Sequence, residues 1–322
     1  MLTTFLALEI PYPFIDPVLL DLPGPLSVRW YGLMYLVGFA FAYYALSRLT
    51  EWGFLELEKE KVGDFIGYLV LGVILGGRLG YILFYALDDY IRDPLLTLQI
   101  WRGGLSFHGG LIGVIVTAAL FARAHGIRFS RLLDSLAAAV PVGIFFVRMA
   151  NFVNGELYGR VADADVPWAI RFPTDPVALR LMDIGPGSIQ AREDAILAAH
   201  ESGLWDAIRD QVPLRHPSQV YEALGEGLLV GAVLWTVLIV ARRRQKWPPA
   251  GAMAGLFFIG YGGVRTFVEL FRQPDAQFRG PDDPLGTVLG PLTMGQTLSL
   301  FMVLVGIAGL VWAFRRERGQ AA

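Results

Sequence analysis

Apolar residues along this chain fall into seven long runs joined by short polar segments: 28–49, 62–87, 107–124, 132–153, 219–241, 253–271 and 294–314. A hydrocarbon layer about 30 Å thick is crossed by about 20 mostly apolar residues rising 1.5 Å each. The runs meet that length, so the pattern predicts about seven transmembrane helices. Residues 154–217 interrupt it with spaced prolines, with Asp163, Asp165, Asp175, Glu193 and Asp194, and with a predicted helix over 188–200. That stretch reads as a small folded head, a loosely ordered loop being the alternative. Before the first run come Pro11, Pro13, Pro17, Pro23 and Pro25, and the first basic residue is Arg29. A signal peptide opens on a basic segment, so residues 1–27 read instead as an external arm.

Composition agrees with a bilayer. Of 322 residues, 54% are hydrophobic and 17% charged, against about a quarter charged in soluble domains. Glycine, 37 residues, exceeds its usual share of roughly 7% and suits closely packed membrane helices. A net charge of -2 with no basic, aromatic-interleaved tract gives no sign of a nucleic-acid partner. With no cysteine, the chain has no disulfide, thiolate metal site or cysteine nucleophile, so any reacting thiol belongs to a substrate.

Orientation follows from the short joints. Thirteen Lys and Arg (Arg48, Lys59, Lys61, Arg123, Arg128, Arg131, Arg242, Arg243, Arg244, Lys246, Arg315, Arg316, Arg318) lie on one side, against five (Arg29, Arg92, Arg102, Arg272, Arg279) on the other. The richer side is cytoplasmic. This puts the N-terminus and residues 154–217 outside and the C-terminus inside. The expectation is an all-α polytopic membrane protein with a small periplasmic head domain: arm 1–27, helices one to four in 28–153, head 154–217, helices five to seven in 218–314, and a cytoplasmic tail 315–322.

Ionisable residues within membrane spans are costly and default to a functional reading. Arg78, His108, Arg148, Glu226, Arg265 and Glu269 are of this kind, and on the inferred topology nearly all lie toward the outer face, level with Arg29, Trp30 and Tyr31. His108 sits in the glycine-rich stretch 103–110, where glycine would let backbone approach a ligand closely. It is either a proton-transfer group matched to neutral pH or a residue that hydrogen-bonds at a helix end. Arg148, Asn151 and Asn154 recur every three residues as a polar strip. A guanidinium fork suits phosphate and amides suit a polyol head; the bland alternative pairs Arg148 with Glu156. Arg265 and Glu269 form an i, i+4 pair, and two arginines at one level suit an anionic phosphate. Ser218 with Gln219 reads as a helix cap, and Arg78 as a partner of Glu226 or a headgroup-seeking side chain. No H-E-x-x-H occurs, and Gly104-x-Ser106-x-His108 departs from G-x-S-x-G at its fifth place. A lipid or solute transporter and an intramembrane serine hydrolase remain as rival classes.

These motifs resemble one family, the bacterial prolipoprotein diacylglyceryl transferases. The resemblance runs from Arg29-Trp30-Tyr31-Gly32 through 104–113, 148–159, 215–222 and 260–275 to Met294-Gly295-Gln296; Val147 replaces the glycine that usually opens the family's signature. It implies transfer of a diacylglyceryl group from phosphatidylglycerol to the thiol of the lipobox cysteine in a prolipoprotein signal peptide, at the outer leaflet of the cytoplasmic (inner) membrane, without a cofactor. Positions matching the family's functional residues are Tyr31, His108, Arg148, Asn151, Glu156, Gly159, Arg265 and Glu269. On this reading Arg148 and Arg265 grip the lipid phosphate and His108 takes the thiol proton. Tyr31, Asn151 and Asn154 orient the glyceryl head, while Glu156 and Glu269 hold the arginines.

Overall fold

The computed structural model describes residues 10–22, 27–87, 91, 93, 104–274, 283 and 285–321. Of the residues named above, Pro23, Pro25, Arg92, Arg102 and Arg279 lie outside them, as do residue 103 of the stretch 103–110 and residue 275 of 260–275. Ten helices are described: α1 Trp30–Glu51, α2 Glu60–Tyr85, α3 Phe107–Ala124, α4 Phe129–Val153, α5 Pro176–Leu181, α6 Ile189–Glu201, α7 Leu204–Ile208, α8 Ser218–Arg243, α9 Ala252–Val268 and α10 Met294–Ala321. Two short antiparallel pairs, β1 Val18–Asp21 with β2 Ser27–Arg29 and β3 Thr287–Leu289 with β4 Leu292–Thr293, depart from the all-helical expectation.

Among the described residues, five helices are long and apolar enough to cross a membrane, while His108–Ala124 and Ala252–Val268 are shorter apolar helices. Large side chains such as Leu36, Leu75, Leu83, Phe301 and Leu304 are well over half exposed along these helices, a surface that water would not tolerate and lipid does. The chain is a polytopic membrane protein. The sixth run is shorter than its hydropathy predicts. After Val268 the backbone turns, and carbonyls freed at that helix end accept from Arg160: its Nε donates to Arg272 O at 2.8 Å and its backbone N–H to Phe271 O at 2.8 Å.

The chain divides into two compact units. In the first (Met1–Gly38, Val140–Val233, Leu256–Ala308), small residues let helices approach closely. A Cβ on Gly38 would meet Gly143 Cα of α4 at 3.3 Å, and one on Gly227 would stand 2.9 Å from the Phe145 backbone. Gly225 packs on Val264, and Gly262 on Ser299. Near the start of α8, the turn Ala223–Leu229 is a π-helix. Residues 176–212 enclose a core of Ala178, Met182, Ile196, Ala199, Trp205, Ile208 and Val212, against which Phe14 of the N-terminal arm packs. Asp175 and Ser188 cap α5 and α6, so the predicted 188–200 helix is present. Phe14 stacks on His200 at 3.8 Å, and Arg29 grips Glu193 at 2.5 and 2.6 Å.

In the second unit (Phe39–Ala139, Leu234–Gly255, Gly309–Ala322), α2 and α3 meet along glycines. Gly72, Gly76 and Gly80 face Gly109 and Gly113; a Cβ on Gly109 would lie 2.8 Å from Gly80 Cα. Gly109 and Gly113 thus serve helix packing, where the expectation for 103–110 was close approach of backbone to a ligand. Gly104, at φ 81°, has no room for a Cβ against the Tyr81 ring at 2.7 Å. Buried Asp134 accepts from Gly251 N at 2.8 Å and Ala254 N at 2.9 Å, capping the start of α9 from outside that helix.

Candidate functional site

Three arginines and three glutamates meet in the first unit. Arg148 comes from the last turns of α4, Glu222 and Glu226 from the start of α8, and Arg265 from α9, with Glu269 and Arg272 just past its end. Arg148 Nε lies 2.9 Å from Glu222 Oε2, and its Nη2 lies 3.8 Å from Glu226 Oε2. Arg265 Nη1 bonds Glu222 Oε1 and lies 3.5 Å from Glu226 Oε1, while its Nη2 is 3.3 Å from Glu269 Oε2. Arg272 reaches Glu222 Oε1 at 3.4 Å and Glu269 Oε2 at 3.9 Å. The glycine contacts of α8 at 225 and 227 bring its carboxylates within reach of both flanking helices.

Electrostatics explain why the six occur together. Glu222 and Glu226 are completely buried, and Glu269 and Arg265 nearly so. A lone buried charge costs several kcal/mol, and only close, hydrogen-bonded partners offset this. Three positive and three negative groups sum to zero, yet the donors outnumber the acceptors. Each guanidinium has five N–H groups against about four lone-pair sites per carboxylate. Arg148 keeps 19% of its side chain exposed, so the neutral cluster reaches the accessible surface at that residue. Thr293 Oγ1 donates to Glu269 Oε1 at 3.1 Å, and a Cβ on Gly295 would come within 2.5 Å of the Glu269 carboxyl. The Met294-Gly295-Gln296 motif therefore makes room for that glutamate.

The loop after α4 is fastened beside this cluster. Glu156 Oε1 accepts from Asn151 Nδ2 at 2.8 Å and Asn154 Nδ2 at 3.5 Å. Its carbonyl accepts from Gln219 Nε2 at 2.6 Å, and Leu157 O accepts from Ser218 Oγ at 3.0 Å. Gly159 N donates to His216 O at 2.8 Å, and a Cβ at Gly159 would stand 2.8 Å from that same oxygen. Two expectations are corrected. Glu156 orders the two asparagines and is not the carboxylate that holds Arg148; Glu222 and Glu226 are, because α8 is the helix that packs against α4 there. Ser218 and Gln219 do not cap α8, since their side chains reach to the 156–157 backbone.

The other predicted residues lie as follows. Tyr31, on the first turn of α1, faces Tyr35 with ring centroids 5.4 Å apart. His108 is exposed on the first turn of α3 in the second unit, where Ser106 Oγ caps the helix by accepting from Gly109 N at 3.3 Å. Arg78, also there, donates to Gly104 O at 3.2 Å, while the acid once considered for it, Glu226, pairs with Arg148 and Arg265. A concavity of about 610 Å³ opens among Met182, Asp183, Ile184, Arg192, Ser202 and Leu204, with none of the six charged residues of the cluster in its wall. Sequence reasoning gave no role to Glu222, Arg272 or Thr293. The usable signal was Glu222 and Glu226 spaced i, i+4 at the head of an apolar run, a pair that demands buried cations.

Residues 17–312 match the family described as prolipoprotein diacylglyceryl transferase. The chain is 42% identical over 313 residues to the phosphatidylglycerol–prolipoprotein diacylglyceryl transferase of Yersinia enterocolitica, covering 97% of this chain and 98% of that one. It is 43% identical over 309 residues to the protein of the same name from Azotobacter vinelandii, covering 96% and 98%. A Neisseria meningitidis protein of that name is 42% identical over 304 residues, covering 94% and 97%. On this full-length similarity, the chain belongs to the prolipoprotein diacylglyceryl transferase family.

Proposed function

We propose that this protein transfers the diacylglyceryl group of phosphatidylglycerol to the lipobox cysteine thiol of prolipoprotein signal peptides, the first step of lipoprotein maturation. The observation that carries this reading is the convergence of Arg148 and Arg265 on one buried carboxylate, Glu222, with part of the Arg148 side chain exposed. Such donors, fixed in a medium of low dielectric constant, stabilise charge that develops on a leaving phosphate. The sulfur forms a thioether bond to the terminal glyceryl carbon as the bond from that carbon to the phosphate oxygen breaks, and glycerol phosphate departs. The proton leaves the thiol, which is only a few per cent ionised at neutral pH. His108 is assigned that proton on its chemistry as an imidazole. Tyr31, Asn151 and Asn154 orient the glyceryl head, Glu156 sets the two amides, Gly159 allows the loop its close approach, and Glu269 holds Arg265. The chain's own residues carry every step, with no cofactor.

The finer topology belongs to the same proposal. Seven spans, the two shorter apolar helices included, place the N-terminus and the head 154–217 on the periplasmic side of the inner membrane, the tail 315–322 in the cytoplasm, and the site toward the outer leaflet. The excess of Lys and Arg in alternate joints supports it. The test is to mix purified protein, phosphatidylglycerol and a lipobox peptide and look by mass spectrometry for the diacylglyceryl increment on cysteine. A serine-substituted peptide must stay unmodified. Absence of the increment refutes the reading; flux of lipid between vesicle leaflets without product would favour a transporter. His108→Gln lowers turnover and alters its pH profile; an unchanged rate and profile would remove His108 as the base.

A further inference from the structure

Among the described residues, Glu222 is the carboxylate that touches all three arginines of the cluster. Its Oε2 faces Arg148 at 2.9 Å, and its Oε1 bonds Arg265 and lies 3.4 Å from Arg272. Glu226 meets Arg148 and Arg265 more loosely, at 3.8 and 3.5 Å. Glu222 is fully buried, so it serves through its neighbours. It stands on the first turn of α8, held by the Gln219 and Ser218 bonds to the 156–157 backbone and followed by the π-helical turn.

We propose that Glu222 is a positioning residue, a strut that holds Arg148 and Arg265 side by side so that both offer their remaining N–H groups to one phosphodiester. The proposal rests on the function given above. Two guanidiniums repel each other and each loses rotamer freedom on being fixed; one carboxylate with an oxygen for each offsets both obstacles before the lipid arrives. The same negative charge also opposes an anionic lipid. Removing it therefore acts in opposite directions on binding and on chemistry: the ground-state complex tightens while the transition state loses its aligned donors. A carboxylate needed only for folding would impair both together.

The experiment compares wild type, Glu222→Gln and Glu222→Asp in detergent. It measures kcat and KM for transfer to a lipobox peptide and, separately, equilibrium binding of phosphatidylglycerol without peptide, with diacylglycerol as the uncharged control. Glu222→Gln lowers kcat roughly 100-fold, the scale of losing one oriented donor, while phosphatidylglycerol binds as well as before or better and diacylglycerol is unaffected. Glu222→Asp, which keeps the charge on a shorter arm, recovers part of kcat. A kcat within threefold of wild type in Glu222→Gln overturns the proposal, as does a parallel loss of kcat and phosphatidylglycerol affinity. Should Glu222→Gln fail to fold, Glu222→Asp decides, and a kcat within threefold of wild type refutes the strut. If wild type itself forms no thioether, the transferase reading fails; the binding measurement then judges the strut alone, and weaker phosphatidylglycerol binding by Glu222→Gln refutes it.

Discussion

Arg148 and Arg265 share a partner but differ in burial, and that difference separates a loss of chemistry from a loss of fold. Arg148 keeps 19% of its side chain exposed, and without it Glu222 and Glu226 still have Arg265. Arg148→Ala therefore leaves the protein folded while the cluster goes from neutral to one negative charge. Removing a positive charge about 4 Å from a phosphate oxygen, at an effective dielectric constant near 20, costs about 4 kcal/mol. That is a loss of about 10³-fold in kcat/KM. Arg148→Lys keeps the charge and loses the planar fork, so it recovers part of this. Arg265 is nearly buried among Glu222, Glu226 and Glu269. Arg265→Ala takes the nearest cation from three buried carboxylates, which keep only Arg148 and Arg272, and weakening such a pairing destabilises by up to about 3–5 kcal/mol. The assay is transfer kinetics by mass spectrometry, paired with thermal unfolding in the same detergent. Arg148→Ala retaining more than about a tenth of kcat/KM, against the loss expected for a lost charge, would refute the phosphate role. Equal melting temperatures for the two alanine variants would refute the burial argument.

Other parts of the molecule yield sharper tests of stability. Gly109→Val wedges α2 from α3, because a Cβ there already stands 2.8 Å from Gly80 Cα; overpacking of this kind costs about 1–3 kcal/mol, seen as a lower unfolding temperature, and an unchanged one would deny the glycine contact. Trp205→Ala hollows the core of 176–212 at a cost of about 3–5 kcal/mol; amide hydrogen exchange then rises in that segment while α2 and α3 keep their protection. Burial holds the His216 imidazole below its ordinary value, against the opposing pull of Asp163. As pH falls below about 6.5 the unfolded chain takes up this proton before the folded one does, so stability declines there. His216→Asn flattens that part of the stability–pH curve, and a slope equal to wild type would show that the group does not contribute.

How much of this was legible beforehand varies by residue. Asn151 and Asn154 were readable as a polar strip, but their common acceptor Glu156 had been given the arginines to hold. Sequence spacing made Glu156 a neighbour of Arg148, and spacing says nothing about the helix that packs across from it. The glycines of 103–110 are visible in the sequence, but glycine marks close backbone approach without naming what approaches, and at Gly109 that is α2. Glu222 carries no signal of its own in the sequence, because its value lies in three arginines far away along the chain.

The sequence by itself determined the membrane setting, the helical runs, and the presence of buried charge that must be paired. Hydrophobic length and the cost of desolvating an ion are local properties, computable from neighbours in the chain. Only the tertiary structure decided which charge meets which. The contacts of α8 with α4 and α9 at Gly227 and Gly225 set the partners of Arg148 and Arg265, and Coulomb attraction between buried groups depends on a few ångströms of separation that no one-dimensional pattern encodes.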